Sequence, residues 1–329
     1  MKLNFFCCFW LTLVLYQTLL LVVEAFAPLL SVASSPCRRR CPSCASRPRT
    51  ETETATTTDG DAELARLRFG GVSRLYGRSG LDQLERAHVA VIGVGGVGCW
   101  TAEALCRSGV GQMTLVDLDE LCISNTNRQL HATSDTVGRP KTSVLAERLR
   151  RINPHCAVTE IQDFVCAENV DRTIDGLLAE GRGGDRGGRS AQEKVVAVVD
   201  AIDGVGDKAV LLATCRRRGV PLVVVGGAGG KRDPTRVRTA DITCATNDML
   251  LKQVRKLLRR EHGFPKDLKG GTKRLQQRRQ QQQQSEVRQR QPPGELQPGD
   301  PWGVACVYSD EKAEAALLGD DEEGGVDGE

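Results

Sequence analysis

The sequence predicts an α/β fold, a doubly wound and mostly parallel sheet with helices on both faces. Three observations predict it. From Glu63 onwards, strand-like apolar runs alternate with helix-like amphipathic ones. Two of those runs, Val195–Val199 and Val220–Val225, are continuously apolar, as in strands covered on both sides. A third run, His88-Val89-Ala90-Val91-Ile92, leads directly into Gly93-Val94-Gly95-Gly96-Val97-Gly98 and then into a helix-like stretch from Cys99 to Leu105. Strand, glycine loop and helix make a Rossmann-like cradle for a nucleotide phosphate. Glycines let the backbone approach the ligand, and the helix start offers free N–H groups and a partial positive charge.

The elements follow in order. Residues 88–92 are the first strand, 97–108 a helix, and Met113–Val116 the second strand. Lys141–Ile152 is a helix with Val144, Leu145, Leu149 and Ile152 on one face, stopped by Asn153-Pro154. Val158–Ile161 is a short strand and Val195–Val199 a buried one. Lys208–Arg218 is a helix ended by Gly219, and Val220–Val225 is another buried strand. Asn247–His262 is a helix studded with Lys252, Arg255, Lys256, Arg259 and Arg260. Two insertions interrupt the pattern: a flexible Gly/Arg loop at 181–188, and a low-complexity stretch at 276–298 containing Gln280–Gln284. Neither is expected to carry chemistry.

The net charge of +3 hides an asymmetry between the basic segment 252–290 and the acidic tail from Asp310 to Glu329. A basic segment attracts nucleic acid, and it equally suits a solvated helix face with a basic linker. The 13 cysteines are scattered and demand no disulfide framework. The only C-x-x-C is Cys41–Cys44, with no second pair, so no structural zinc is expected. Residues Leu3–Val23 are nearly all apolar after Lys2, and Glu24-Ala25-Phe26-Ala27-Pro28 follows. A Ser/Arg-rich, acid-free stretch then runs to Thr50. A signal peptide followed by a transit peptide, cut after Ala25, resembles the bipartite plastid-targeting leader of algae with secondary plastids. The competing reading is an uncleaved membrane anchor over 3–23, since the run is about long enough to span a bilayer. On either reading the first 60 or so residues stand apart from the fold.

Five polar residues after the glycines bear on chemistry. Asp117 ends the second strand, where an acid commonly holds a ribose hydroxyl; a turn or capping Asp is the alternative. Asn125 and Arg128 lie in a polar stretch, and a guanidinium fork there can hold phosphate oxygens, or else form a surface ion pair. Lys141 opens a helix, where its charge opposes the macrodipole unless an anion sits nearby, which favours a phosphate-facing role over a plain surface lysine. Asp203 follows a strand's carboxyl end, where a carboxylate can hold magnesium; Asp200 is its rival and is the more structural of the two. Gly226–Gly230 permits close approach to a substrate, or forms a hinge. Arg128 with Lys141 argues against an NAD oxidoreductase, which has no need of either.

The glycine hexad, Asp117-Leu118-Asp119, Asn125-Thr126-Asn127-Arg128-Gln129, Lys141 and Asp203 together resemble the ThiF/MoeB/HesA type of adenylating enzymes, the ubiquitin-activating superfamily. Arg68–Gly77, Asp200–Asp203 and Gly226–Gly230 resemble its tRNA threonylcarbamoyladenosine dehydratase branch, over about residues 63–266 and again at Trp302–Ser309. That resemblance implies ATP and Mg2+. Gly93, Gly95, Gly96 and Gly98 would cradle the ATP, and Asp117 would hold the ribose. Asn125, Arg128 and Lys141 would face the phosphates, and Asp203 the metal. Arg74 would reach into a neighbouring subunit's site, which implies a homodimer, and tRNA would be the substrate. Late C-x-x-C zinc pairs mark many carrier-protein branches; here only Cys244 and Cys306 occur late. The family's further small-residue-rich helix after the Cys306 segment is replaced by acidic sequence. Two alternatives remain: activation of a ubiquitin-like or sulfur-carrier protein, and nucleotide binding without turnover. The expected organisation is a leader (1–25 and 26–60), a catalytic domain (61–268), a Gln/Arg-rich insertion (269–301) and a short C-terminal region (302–329).

Overall fold

The computed structural model describes residues 58–182, 196–265 and 301–313. The leader with Cys41 and Cys44, most of the Gly/Arg loop, the glutamine-rich segment and most of the acidic tail lie outside those residues.

The described chain opens with helix α1 (Thr58–Arg86), bent where Gly77 adopts φ 74° and ψ 169°. There follow β1 (His88–Ile92), α2 (Gly98–Arg107), β2 (Gln112–Val116), α3 (Lys141–Ile152), β3 (Ala157–Ile161) and α4 (Val170–Arg182). After them come β4 (Val196–Asp200), α5 (Val205–Arg218), β5 (Leu222–Val225), β6 (Val237–Asp241), α6 (Met249–Glu261) and β7 (Ala305–Ser309). Among the described residues the strands form one sheet in the order β3-β2-β1-β4-β5-β7-β6. Every pairing is parallel except β6 with β7. The expected fold class is therefore the one observed.

Strand alternation sorts the core onto the two faces of the sheet. Val89 and Val91 pack with Ala102 and Leu105 of α2 and with Leu145 and Leu149 of α3. Ala90 and Ile92 join Ile174 and Leu177 of α4 and Leu211 and Cys215 of α5. A third cluster joins Leu212 to Leu251, Val254 and Leu258 of α6 and to Trp302 and Cys306. Residues 301–309 thus return into the interior of the sheet, between β5 and β6, and share one core with the residues before 266.

From β1 the chain winds outward to β2 and β3, then crosses back to β4 on β1's other side. That reversal opens a crevice beyond the carboxyl ends of β1 and β4, the place where open α/β sheets bind ligands. Element boundaries differ from the periodicity by small shifts that matter there. β4 ends on Asp200, one residue later than the apolar run, so Asp200 belongs to the strand and is fully buried. Helix α5 begins at Val205, and that earlier start carries Lys208 into the interior.

Candidate active site

The crevice holds a cavity of about 990 Å3. The β1–α2 loop lines it with Gly93, Gly95 and Gly96, and the end of β2 adds Asp117 and Asp119. The turn after β2 brings Asn125, Arg128 and Gln129; α3 brings Lys141, the β4–α5 loop brings Asp203, and the first turn of α5 brings Asp207. On the far side stand Gly226, Gly227, Ala228 and Gly229 after β5, with Lys231 and Arg232 beyond. Helix α2 starts at this cavity with no side-chain cap and no acid in its first turn, which leaves its positive end to a ligand.

Three cavity residues hold the glycine loop and the phosphate side in shape. Asp117 accepts Val94 N–H through Oδ2 at 2.8 Å and Asp119 N–H through Oδ1 at 2.9 Å, so it braces the loop as well as facing the cavity. Asn125 is buried, and its Oδ1 accepts Cys122 N–H at 3.0 Å, closing the turn that presents Arg128. Arg128 donates through Nη1 to Ser124 O and Asn127 Oδ1, both at 2.9 Å, and its stem crosses Gly96 so closely that a Cβ there would stand 3.3 Å from it.

The anion expected beside Lys141 is found within the protein itself. Its Nζ donates to Asp119 Oδ2 at 2.6 Å and lies 3.9 Å from Asp117 Oδ1. Lys141 is buried at the cavity wall beside these two carboxylates. The rivalry between Asp200 and Asp203 resolves by burial. Asp200 is sealed, pairs with Lys208 Nζ at 2.8 Å and accepts Ile202 N–H at 3.0 Å, which fixes the loop that follows. Burial pushes the Asp200 carboxyl above its usual range while Lys208 pulls against that. Asp203 is exposed and faces the cavity.

Gly98 and Arg74 lie outside the chain's own cavity, which for Arg74 is the expected place, since the resemblance puts it in a neighbouring subunit's site. Gly98 does not line the cavity; a Cβ on it would stand 1.8 Å from Gly93 O, so its bare backbone packs helix α2 against the loop. Arg74 lies on α1, away from the cavity, where its exposed guanidinium bonds Gly70 O at 3.3 Å. The glycine run after β5 has a definite use: a Cβ on Gly226 would stand 2.3 Å from Asp248 Oδ2, and Gly227 N–H donates to that oxygen at 2.9 Å. Asp248 caps α6 through Leu251 N–H at 2.8 Å, so one carboxylate ties the cavity wall to that helix. Cys306 is a buried thiol whose pKa burial drives upward, unsuited to nucleophilic work.

Sequence reasoning passed over several lining residues. Asp119 was legible only as part of a motif. Gln129 lines the cavity with a buried Oε1 that has no hydrogen-bond partner. Lys231 lines it while its Nζ bonds Asn247 O at 2.8 Å and also Glu311 O, which ties the wall to the chain after β7. Among the described residues no three His, Cys, Asp or Glu side chains group so as to hold a metal ion by themselves.

The sequence profile of the ThiF family matches residues 71–280. The tRNA threonylcarbamoyladenosine dehydratase of Escherichia coli is 45% identical over 205 residues, covering 62% of this chain and 70% of the relative. A molybdopterin-synthase adenylyltransferase of Salmonella typhimurium is 34% identical over 163 residues, 50% of this chain and 58% of that protein. The crystal structure of the E. coli tRNA N6-threonylcarbamoyladenosine dehydratase in complex with ATP superposes with a TM-score of 0.59 at 40% identity, covering 75% of this chain and 83% of that one. The chain belongs to the ThiF family, in its tRNA threonylcarbamoyladenosine dehydratase branch.

Proposed function

We propose that the chain is an ATP-dependent tRNA threonylcarbamoyladenosine dehydratase. The observation that carries this reading is the convergence of Arg128, Lys141 and Asp203, from three separate connections, on one glycine-walled cavity. The 45% identical relative of that name and the ATP complex of the E. coli enzyme support it.

The substrate carboxylate is a poor electrophile, so it needs activation. Its oxygen attacks the α-phosphorus of ATP, the bond to the β-phosphate oxygen breaks, and pyrophosphate leaves. The ureido group of the same side chain then attacks the acyl carbon, the carbon–oxygen bond to AMP breaks, and the ring closes with overall loss of water. The chain's part is positioning and charge neutralisation. The glycine loop and the α2 N-terminus face the phosphates, and the Arg128 fork and Lys141 take the charge on the leaving pyrophosphate. Lys141 does so by exchanging its Asp119 partner for phosphate oxygens. The orphaned Gln129 Oε1 gives a bound nucleotide or substrate N–H an acceptor. Mg2+ fits the donor set: Asp203 and Asp207 both line the cavity, and the ion takes one or two carboxylates with phosphate oxygens. When bound, it neutralises phosphate charge.

Exposed Lys252, Lys256 and Arg260 recur every four residues on α6 and form one basic stripe along that helix. A polyanionic tRNA suits that stripe better than a carrier-protein tail does. Leu64, Leu67 and Leu75 are exposed on α1 around Arg74, which supports a homodimer whose partner meets this helix. Sedimentation showing only monomer at micromolar concentration ends the dimer proposal. The function itself is tested by mass spectrometry of nucleosides from threonylcarbamoylated tRNA incubated with the protein, ATP and magnesium. The expected product nucleoside is 18 mass units lighter, the mass of one water; no such product, with adenylation only when a ubiquitin-like or sulfur-carrier protein is added, favours carrier-protein activation instead.

A further inference from the structure

A second cavity, of about 360 Å3, shares its walls with the first through two continuous elements. The segment that carries Arg128 and Gln129 into the nucleotide cavity continues into Leu130 and His131, which line the second one. Helix α3 does the same, with Lys141 in the first cavity and Arg148 and Arg151 in the second.

Its least ordinary member is His131. The residue is 3% exposed, and neither ring nitrogen has a hydrogen-bond partner. Burial, and then the charges of Lys141 and Arg148, hold its pKa down to about 4. At neutral pH the imidazole is therefore uncharged and offers one donor and one acceptor, both unused. Buried polar groups are otherwise nearly always bonded, so this pair points to something that occupies the cavity.

The surrounding charge narrows what that is. Arg107 and Arg148 share Glu103, at 2.7 and 2.5 Å, and Arg139 pairs with Glu147 at 2.5 Å. The Asp135 carboxylate is turned onto the Thr133 hydroxyl at 2.6 Å. Arg151 is left over: it is exposed and, among the described residues, has no hydrogen-bond or ion-pair partner. Four guanidinium groups beside a buried polar ring suit an oxyanion, and guanidinium forks match phosphate geometry.

We propose that this cavity is a binding site for a phosphate group, separate from the nucleotide cavity, with His131 at its buried end and Arg151 at its open one. A hydrogenphosphate reaches one of the two ring nitrogens, which point away from each other across the ring, and either accepts from the ring N–H or donates to the bare nitrogen. A phosphodiester satisfies the ring N–H. The phosphate comes either from a free anion or, on the reading of the protein as tRNA-modifying, from an RNA backbone.

The test is imidazole NMR on the full-length protein, which has four histidines, with the His131 signal assigned by its loss in His131→Gln. A non-hydrolysable α,β-methylene ATP analogue fills the nucleotide cavity, and inorganic phosphate is titrated at constant ionic strength. The expected result is a saturable shift of the His131 signal. Its midpoint moves at least tenfold higher in Arg151→Glu and less than twofold in Arg172→Glu, the same charge change on exposed α4. In a second arm an anticodon stem-loop RNA replaces phosphate. Movement of the His131 signal by the RNA, in competition with phosphate, assigns the site to an RNA backbone; movement by phosphate alone assigns it to a free anion. No saturable shift in either arm, or equal weakening by both charge reversals, overturns the proposal. Neither arm measures turnover, so failure here leaves the dehydratase reading untouched.

Discussion

Two lysine–aspartate pairs stand at the carboxyl ends of the two strands that flank β1, and their difference shows how this fold separates structure from chemistry. At the end of β4, Lys208 and Asp200 lie 2.8 Å apart with both side chains 0% exposed. At the end of β2, Lys141 and Asp119 lie 2.6 Å apart, with the lysine 8% and the aspartate 54% exposed. The first pair is sealed within the protein. It bonds Asp200 to the loop that presents Asp203 and fixes that loop's path. The second pair lines the large cavity with its carboxylate half exposed, which on the proposed function lets a phosphate take that carboxylate's place. The chemistry of the groups is identical; burial seals one pair into the scaffold and leaves the other at the cavity wall, where the proposed function places Lys141 on the phosphates.

The contrast is easiest to break at the sealed pair. Lys208→Met leaves a buried, uncompensated carboxylate and should cost about 3–5 kcal/mol of stability in denaturant unfolding. Adding Asp200→Asn should recover most of that loss; a double variant as unstable as the single one would show that the pair is no unit. At the open pair the effect should fall on rate. Lys141→Ala is expected to lower ATP-dependent turnover by roughly 10²–10³-fold, the scale of one lost charge-stabilising donor. The same variant should unfold within about 1 kcal/mol of the parent. Unchanged turnover there would remove Lys141 from the phosphates. The smallest effect should come from Asp119→Asn, which takes away the internal competitor for Lys141. Its KM for ATP should fall about two- to threefold, with stability changed by less than about 1 kcal/mol. A rise in KM would make Asp119 a positioning residue rather than a placeholder.

How far the sequence disclosed this arrangement depended on the range of the forces involved. β1, the glycine loop and α2 were legible because strand period, glycine spacing and helix onset are local signals. Lys141 was legible through a local misfit, a cation at a helix start; the carboxylate that answers it, Asp119, lies 22 residues earlier and was legible only within a motif, not as its partner. Asp203 was separable from Asp200 because Asp200 lies nearer the strand; what the apolar run did not disclose is that β4 ends on Asp200 itself, which buries it completely. Helix α1 was missed: its Phe69-Gly70-Gly71 and Tyr76-Gly77 stretches carry poor helix formers, and packing of Phe69, Leu81 and Leu84 overrides them. Strand β6 is partly exposed and polar, without the apolar run that marks the central strands. The second cavity had no sequence signature at all, since the arginines that make it come from α2, α3 and the loop between β2 and α3, and only folding collects them.

The position of β7 has a consequence for how this protein is made. Until residue 309 has left the ribosome, β5 carries an open parallel edge and β6 has no partner, since β7 supplies the pairing for both. The nascent chain therefore waits through the whole stretch from 266 to 300 with an unpaired, strongly apolar edge. Lengthening that stretch adds little to the equilibrium cost of closing the sheet, about 0.6 kcal/mol per doubling. It does prolong the time during which a folding helper must shield the edge.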